Sequence, residues 1–247
     1  MTDLKGTTAL VTGAGRGFGR AAATALTGAG AEVVGVARDR AALEDLRAEL
    51  GDAFVLVAAD ATDPGLANRL LAAHRPRTLV LNAGARPVSR PLHHHTWETF
   101  SRNWETDVRH VFHWVRAAML LPLAPGSTVI AVSSAAALGG SPLSGGYAGA
   151  KAAVRFVAAY AATESERDGS GLRFTAVLPS LTPATELGAE AVAAYAGREG
   201  VPVETFLGRL GPILTPEQVA AAVLDLATTA APRAAYRITA AGLVPLD

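Results

Sequence analysis

Short runs rich in strand-forming residues alternate with longer alanine-rich helical ones along most of the 247 residues, and that alternation admits few folds. Strands separated by helical segments pair in parallel through crossovers, building βαβ units around one sheet. The strand runs fall near 7–12, 31–37, 54–59, 78–82, 127–133, 173–178 and 236–240. Half of the residues are apolar and 18% are charged, enough to fill a core on both faces of such a sheet. The expectation is a single α/β domain over residues 1–247, a doubly wound, mostly parallel, seven-stranded sheet with helices on both faces. Helix starts are marked at Asp39, at Asp63-Pro64 and at Thr215-Pro216-Glu217-Gln218, where N-cap residues, first-turn prolines and a capping box occur. The interval near 181–214 reads as irregular. It is too rich in Leu, Val, Tyr and Phe for a tether and suits a lid with Leu181, Leu187, Tyr195, Phe206 and Leu207 as apolar candidates.

Directly after the first strand run stands Thr12-Gly13-Ala14-Gly15-Arg16-Gly17-Phe18-Gly19, followed by the helical Arg20-Ala21-Ala22-Ala23-Thr24-Ala25-Leu26. Glycines at a strand-to-helix turn let the backbone approach a pyrophosphate, and the helix N-terminus meets the phosphate charge with free N–H groups. The G-x-G-x-x-[GA] pattern of Gly17, Gly19 and Ala22 is weak alone; its strand and helix flanks favour a dinucleotide site over an idle turn. The second strand run ends in Ala37, Arg38 and Asp39, where an adenosine ribose would sit. A carboxylate at that point suits the 2′-hydroxyl of NAD, and an arginine suits the 2′-phosphate of NADP. Arg38, with Arg16 in the glycine loop, favours NADP(H). Asp39 is the competing ribose ligand, but its place one residue before a helical run suits an N-cap.

Only two lysines occur, and one of them, Lys151, stands four residues after Tyr147. With four tyrosines in the chain, chance gives such a pair with a probability of only about 0.03, so the usual discount on a short motif is small. On a helix, residues i and i+4 share a face with Cβ atoms about 6 Å apart, which lets the ammonium lie beside the phenol. A neighbouring cation favours the phenolate and draws the group toward the neutral range where acid–base catalysis is efficient.

Basic and acidic residues both total 22, so no net positive field recruits nucleic acid or an anionic membrane. The absence of cysteine removes disulfides, thiolate catalysis and Cys-ligated metals together. The chain reaches its first apolar run at Thr8 without a signal-peptide pattern, and no apolar stretch approaches the length of a membrane span. A soluble, cytoplasmic protein acting on a small molecule is expected, without nucleic-acid or membrane partners. Adjacent histidines at His93, His94 and His95 do not converge easily on one ion, and no carboxylate cluster accompanies them, so no metal is expected. His110 and His113 lie on an aromatic-rich helix, where packing is the simpler role.

Thr12-Gly13-x-x-x-Gly17-x-Gly19, Asn82-Ala83-Gly84 and Tyr147-x-x-x-Lys151 together resemble the single-domain short-chain dehydrogenase/reductase family, over essentially the whole chain. Ser134 lies thirteen residues before Tyr147, as that family's catalytic serine commonly does. The resemblance implies a Rossmann fold in which Tyr147 is the general acid/base, Lys151 supports it and binds the nicotinamide ribose, and Ser134 orients the substrate oxygen. It implies cofactor contacts at Thr12, Gly13, Gly15, Arg16, Gly17, Phe18, Gly19, Arg38, Asp60, Asn82, Ala83, Gly84 and Pro179, with Asp60 at the adenine. The loop holding Arg86, Arg90 and the three histidines would lie near the substrate mouth, either meeting a polar group or simply solvated. Pairing into a homodimer or homotetramer is also implied.

The chain departs from that family at three places. The asparagine of the family's proton relay is Asp107, the glycine three residues later is His110, and the Pro-Gly after the sixth strand is Pro179-Ser180. An ionised Asp107 close to Tyr147 would oppose the phenolate, whereas one paired with Arg109 or another arginine would leave it alone. An NADP(H)-dependent ketoreductase follows as the leading expectation. An isomerase, dehydratase or cyclase on the same fold and a non-catalytic nucleotide sensor are the alternatives.

Overall fold

In the computed structural model, residues 3–121 and 123–246 are described. The strands are β1 (Thr8–Thr12), β2 (Glu32–Ala37), β3 (Phe54–Ala58), β4 (Thr78–Leu81), β5 (Thr128–Val132), β6 (Arg173–Pro179), β7 (Ala235–Thr239) and β8 (Gly242–Leu246). They form one sheet in the order β3-β2-β1-β4-β5-β6-β7-β8, parallel except for β8, which returns antiparallel along β7. The sheet thus has eight strands where seven were expected. The extra one contains Pro245, which an edge strand tolerates because one side of its backbone has no ladder to complete.

The helices are α1 (Gly17–Gly28), α2 (Arg40–Leu50), α3 (Pro64–His74), α4 (Trp97–Asn103), α5 (Arg109–Leu120), α6 (Gly146–Asp168), α7 (Glu186–Glu199), α8 (Val203–Leu210) and α9 (Pro216–Thr228). Two apolar layers sandwich the sheet. Leu10 of β1 faces Leu66, Val111, Trp114 and Val154 from α3, α5 and α6, while its neighbours Ala9 and Val11 face Leu26, Leu43 and Val223 from α1, α2 and α9. That alternation on a strand buried on both faces follows from the two-residue period of extended backbone.

The anticipated caps form. Asp39 accepts from the Ala42 amide at 3.2 Å, Asp63 from Gly65 at 2.8 Å ahead of Pro64, and Thr215 closes a capping box with Gln218. The interval expected to be irregular is largely α7 and α8, with Thr185 capping α7 and Tyr195 stacked on Phe206 between them at 6.0 Å. The strand order reverses at β1, which pairs with both β2 and β4, so a crevice opens beyond the carboxyl ends of β1 and β4. The residues placed in the site by sequence lie on strand ends, loops or helix starts around that crevice, on α6 beside it and, for Asp107, on the turn between α4 and α5.

Candidate active site

The glycine turn enters the crevice first. Gly13 has a φ of +69°, and a Cβ on Gly19 would come within 2.1 Å of the Gly13 carbonyl, so the turn closes only with glycine at both points. Asn82 braces it from β4, its side-chain amide donating to the carbonyls of Thr12 and Gly13 at 3.2 Å each. The Thr12 hydroxyl accepts the backbone amides of Asn82 and Ala83 at 3.0 and 3.2 Å. Asn82 therefore serves the site by holding the floor rather than by reaching into the crevice. Helix α1 then begins without a side-chain cap and without an acidic residue in its first turn, unlike the capped α2, α3, α4, α7 and α9. Its free N–H groups face the crevice mouth, the arrangement that receives phosphate.

At the adenosine end Arg38 is exposed and has no ion pair among the described residues, while Asp39 is spent on the cap of α2. Asp60 accepts from both the amide and the hydroxyl of Thr62 at 2.9 Å, and these bonds, helped by the Arg38 charge, hold its carboxyl below the usual range against a smaller effect of burial. Arg16 turns elsewhere: it pairs at 2.7 Å with Glu186 at the start of α7. Arg86, from the loop after β4, pairs with the same carboxylate and with Glu190 at 2.8 Å. Glu186 thus joins the glycine turn, the loop after β4 and the start of α7.

On the other side of the crevice, β5 delivers Ser134 and α6 delivers Tyr147 and Lys151. The phenol is partly exposed and Lys151 is buried, its Nζ lying 5.8 Å from the centre of the Tyr147 ring, as the four-residue spacing anticipated. The ammonium donates to the Val132 carbonyl at 3.1 Å, and the Ser133 hydroxyl donates to the Lys151 carbonyl at 2.7 Å. Ser134 caps the short turn that follows β5, accepting from Ala136 at 3.2 Å.

Among the described residues, neither Arg109 nor another arginine is the ion-pair partner of Asp107. It is paired with Lys151 itself, Oδ2 to Nζ 3.1 Å, with the carboxylate 1% exposed. It sits on a π turn, Trp104–Val108, between α4 and α5, a local widening of the helix that recurs at functional sites. Its other oxygen accepts the Ala85 amide at 2.8 Å, and Asn103 spans the Ala85 carbonyl at 2.9 Å and that same oxygen at 3.5 Å. A Cβ on Gly84 would fall 2.9 Å from Oδ2, so the glycine is what admits the carboxylate. Burial alone would lower the pKa of Lys151, but the charge of Asp107 and the adjoining phenol outweigh it and leave the pKa raised. His110, one turn on, is fully buried against Trp114 and its pKa is lowered to about 3 by burial and then by the Lys151 charge.

Pro179 is buried at the end of β6, and Ser180 continues onto β7, its amide donating to the Ile238 carbonyl at 2.9 Å and its hydroxyl accepting from Arg237 Nε at 3.2 Å. Among the histidines of the mouth loop, His95 turns inward to Thr99 and the Arg90 carbonyl at 3.1 and 3.3 Å, while His93 and His94 are exposed. No group of three potential metal-ligating side chains occurs among the described residues, and no helix there is long and apolar enough to cross a membrane. Sequence reasoning missed Ser133, Asn103 and Glu186. Only Asn103 left a signal, four residues before Asp107.

Comparison with known proteins agrees with this geometry. Residues 7–196 match the short chain dehydrogenase family. The chain is 32% identical to an L-rhamnose 1-dehydrogenase (NAD(P)(+)) of Sphingomonas sp., over 99% of this chain and 96% of that one. It is 30% identical to a 2-keto-3-deoxy-L-fuconate dehydrogenase of Xanthomonas campestris, over 92% and 76%. A crystal structure of 3-ketoacyl-(acyl-carrier-protein) reductase from Brucella melitensis complexed with NADH superposes with a TM-score of 0.79 at 28% identity, covering 94% of this chain and 96% of that one. With the fold, the glycine turn and the Ser134, Tyr147 and Lys151 arrangement already in place, the chain belongs to the short-chain dehydrogenase/reductase family of oxidoreductases.

Proposed function

We propose that this protein is an NADP(H)-dependent oxidoreductase that interconverts a carbonyl and a secondary alcohol on a small polyhydroxylated substrate, working chiefly as a reductase. The observation that carries the reading is Lys151 buried beneath the half-exposed Tyr147 ring, at the crevice edge where β5 presents Ser134. The crevice residues suit a dinucleotide. The tight glycine turn leaves the uncapped start of α1 for the pyrophosphate, and Arg38 is the guanidinium left over for a 2′-phosphate. When bound, the nicotinamide supplies or takes up a hydride at the substrate carbon. Tyr147 handles the proton: in reduction its O–H bond breaks as the alcohol O–H forms, with the Ser134 hydroxyl donating to the same substrate oxygen.

The substrate class is supported by relatives named for L-rhamnose and galactitol and by polar groups at the lid side, where Ser141 bonds to Ser144 and to Tyr195. Phe112 and Leu120 on α5, with Phe156 and Tyr160 on α6, are exposed and support a homodimer or homotetramer, the cytoplasm being the compartment that a chain without cysteine suits. The test is loss of absorbance near 340 nm with NADPH across a panel of ketoses and other hydroxyketones, repeated with Tyr147→Phe. The variant is expected to bind NADPH and to lose about 10²- to 10⁴-fold in kcat. Most of kcat surviving in Tyr147→Phe would overturn the assignment of the proton donor.

A further inference from the structure

The carboxylate of Asp107 is the only acidic group that an ion pair places on Lys151 among the described residues, and both partners are almost wholly withdrawn from solvent. Withdrawn charges are screened little, so whatever Lys151 does electrostatically to Tyr147 must be counted together with Asp107. A lone ammonium beside a phenol favours the phenolate. An ammonium already matched by a carboxylate presents the phenol with almost no net charge.

We propose that Asp107 is a positioning residue that works through Lys151 to keep Tyr147 protonated at neutral pH, biasing this site toward proton donation. The geometry supports it from three sides. The Ala85 amide at 2.8 Å and Asn103 fix one carboxylate oxygen, so the other is directed at Nζ and cannot swing away. The ammonium faces Asp107 Oδ2 at 3.1 Å and donates a proton to the Val132 carbonyl. The remaining neighbours do not restore a positive field: His110 on α5 is neutral, Asp60 beyond it after β3 is acidic, and Ser133 and Ser134, just after β5, are uncharged. At the lid, Glu186 and Glu190 are matched by Arg16 and Arg86.

This inference rests on the proposed role of Tyr147 as acid, and its test is separable from that reading because it needs no turnover. The phenolate absorbance of the protein without cofactor is titrated near 295 nm, and Tyr147 is isolated by subtracting the curve of Tyr147→Phe. In Asp107→Asn the Tyr147 phenolate is expected to form about one to two pH units lower, ten- to a hundredfold more of it at a given pH. Asp107→Glu retains the charge and is expected to stay near the parent curve. With an alcohol substrate, the acidic limb of the oxidative pH profile, which reports formation of the Tyr147 phenolate, moves by the same amount in Asp107→Asn. Coincident titrations for Asp107→Asn and the parent overturn the proposal. Equal shifts in Asp107→Asn and Asp107→Glu overturn it too, because they assign the effect to shape. Absence of turnover with every alcohol, alongside a shifted titration, leaves the inference standing and removes the redox reading.

Discussion

The Ser133 hydroxyl donates to the main-chain carbonyl of Lys151 at 2.7 Å, a buried bond that ties the end of β5 to the first turns of α6. The residue immediately before Ser134 thus sets the height of the helix that carries Tyr147 and Lys151. Two chain segments that meet at the chemistry are joined by a side chain that takes no part in it.

Ser133→Ala removes that tie. The expected cost is about 1 kcal/mol in urea-midpoint stability, the usual net worth of a neutral hydrogen bond. Turnover should fall more than cofactor affinity, because the glycine turn does not depend on the bond. Equal losses in both would show that Ser133 supports the domain generally.

Arg38→Ala bears on the choice of cofactor. Losing a charge-assisted bond to a 2′-phosphate should cut the preference for NADPH over NADH by about ten- to a hundredfold. Fluorescence titration of both cofactors measures it. A parent protein that already prefers NADH would refute the NADP(H) assignment.

Glu186→Gln tests the lid. The carboxylate holds Arg16 and Arg86 at once, but all three groups are substantially exposed, so each contact contributes little. Cofactor release in stopped flow should quicken about two- to fivefold. Raising the ionic strength should have a similar effect on the parent and almost none on the variant.

His110→Phe should alter how stability depends on pH. The folded state holds the imidazole near a pKa of about 3, while an unfolded histidine titrates near its ordinary value. Between those points the unfolded chain binds a proton that the folded chain refuses, so folding stability falls as pH falls through about 6.5 and continues to fall toward the folded pKa. At pH 5 the parent should have lost about 2 kcal/mol of this contribution relative to pH 7.5, and the variant should lack that share of the decline. Parallel urea-midpoint curves against pH for the two proteins would contradict the assignment.

Much of this architecture is readable one residue at a time. The caps at Asp39, Asp63 and Thr215 are local chemistry, and the pairing of Tyr147 with Lys151 is a single helical repeat. What escaped is non-local or weakly patterned. Helix α7, Glu-Leu-Gly-Ala-Glu-Ala-Val-Ala-Ala-Tyr, carries small residues around much of its circumference and so shows little helical period. Strand β8 has Pro245 in place of an alternating run. Asp107 could be matched to a relay position, yet nothing in its flanks says that it faces Lys151, forty-four residues away in sequence.

The π turn at Trp104–Val108 has a consequence for what this segment can tolerate over evolutionary time. The rod from Trp97 to Leu120 holds one extra residue at this point, wound less tightly than the roughly 3.6 residues per turn of the α-helix on either side. Deleting one residue from the turn would allow ordinary winding throughout, but it would change which of the side chains at 104–108 faces Lys151. Substitutions along the turn change contacts one by one, whereas an insertion or deletion there changes all of them together. Its length and the identity of Asp107 together decide how this stretch meets Lys151.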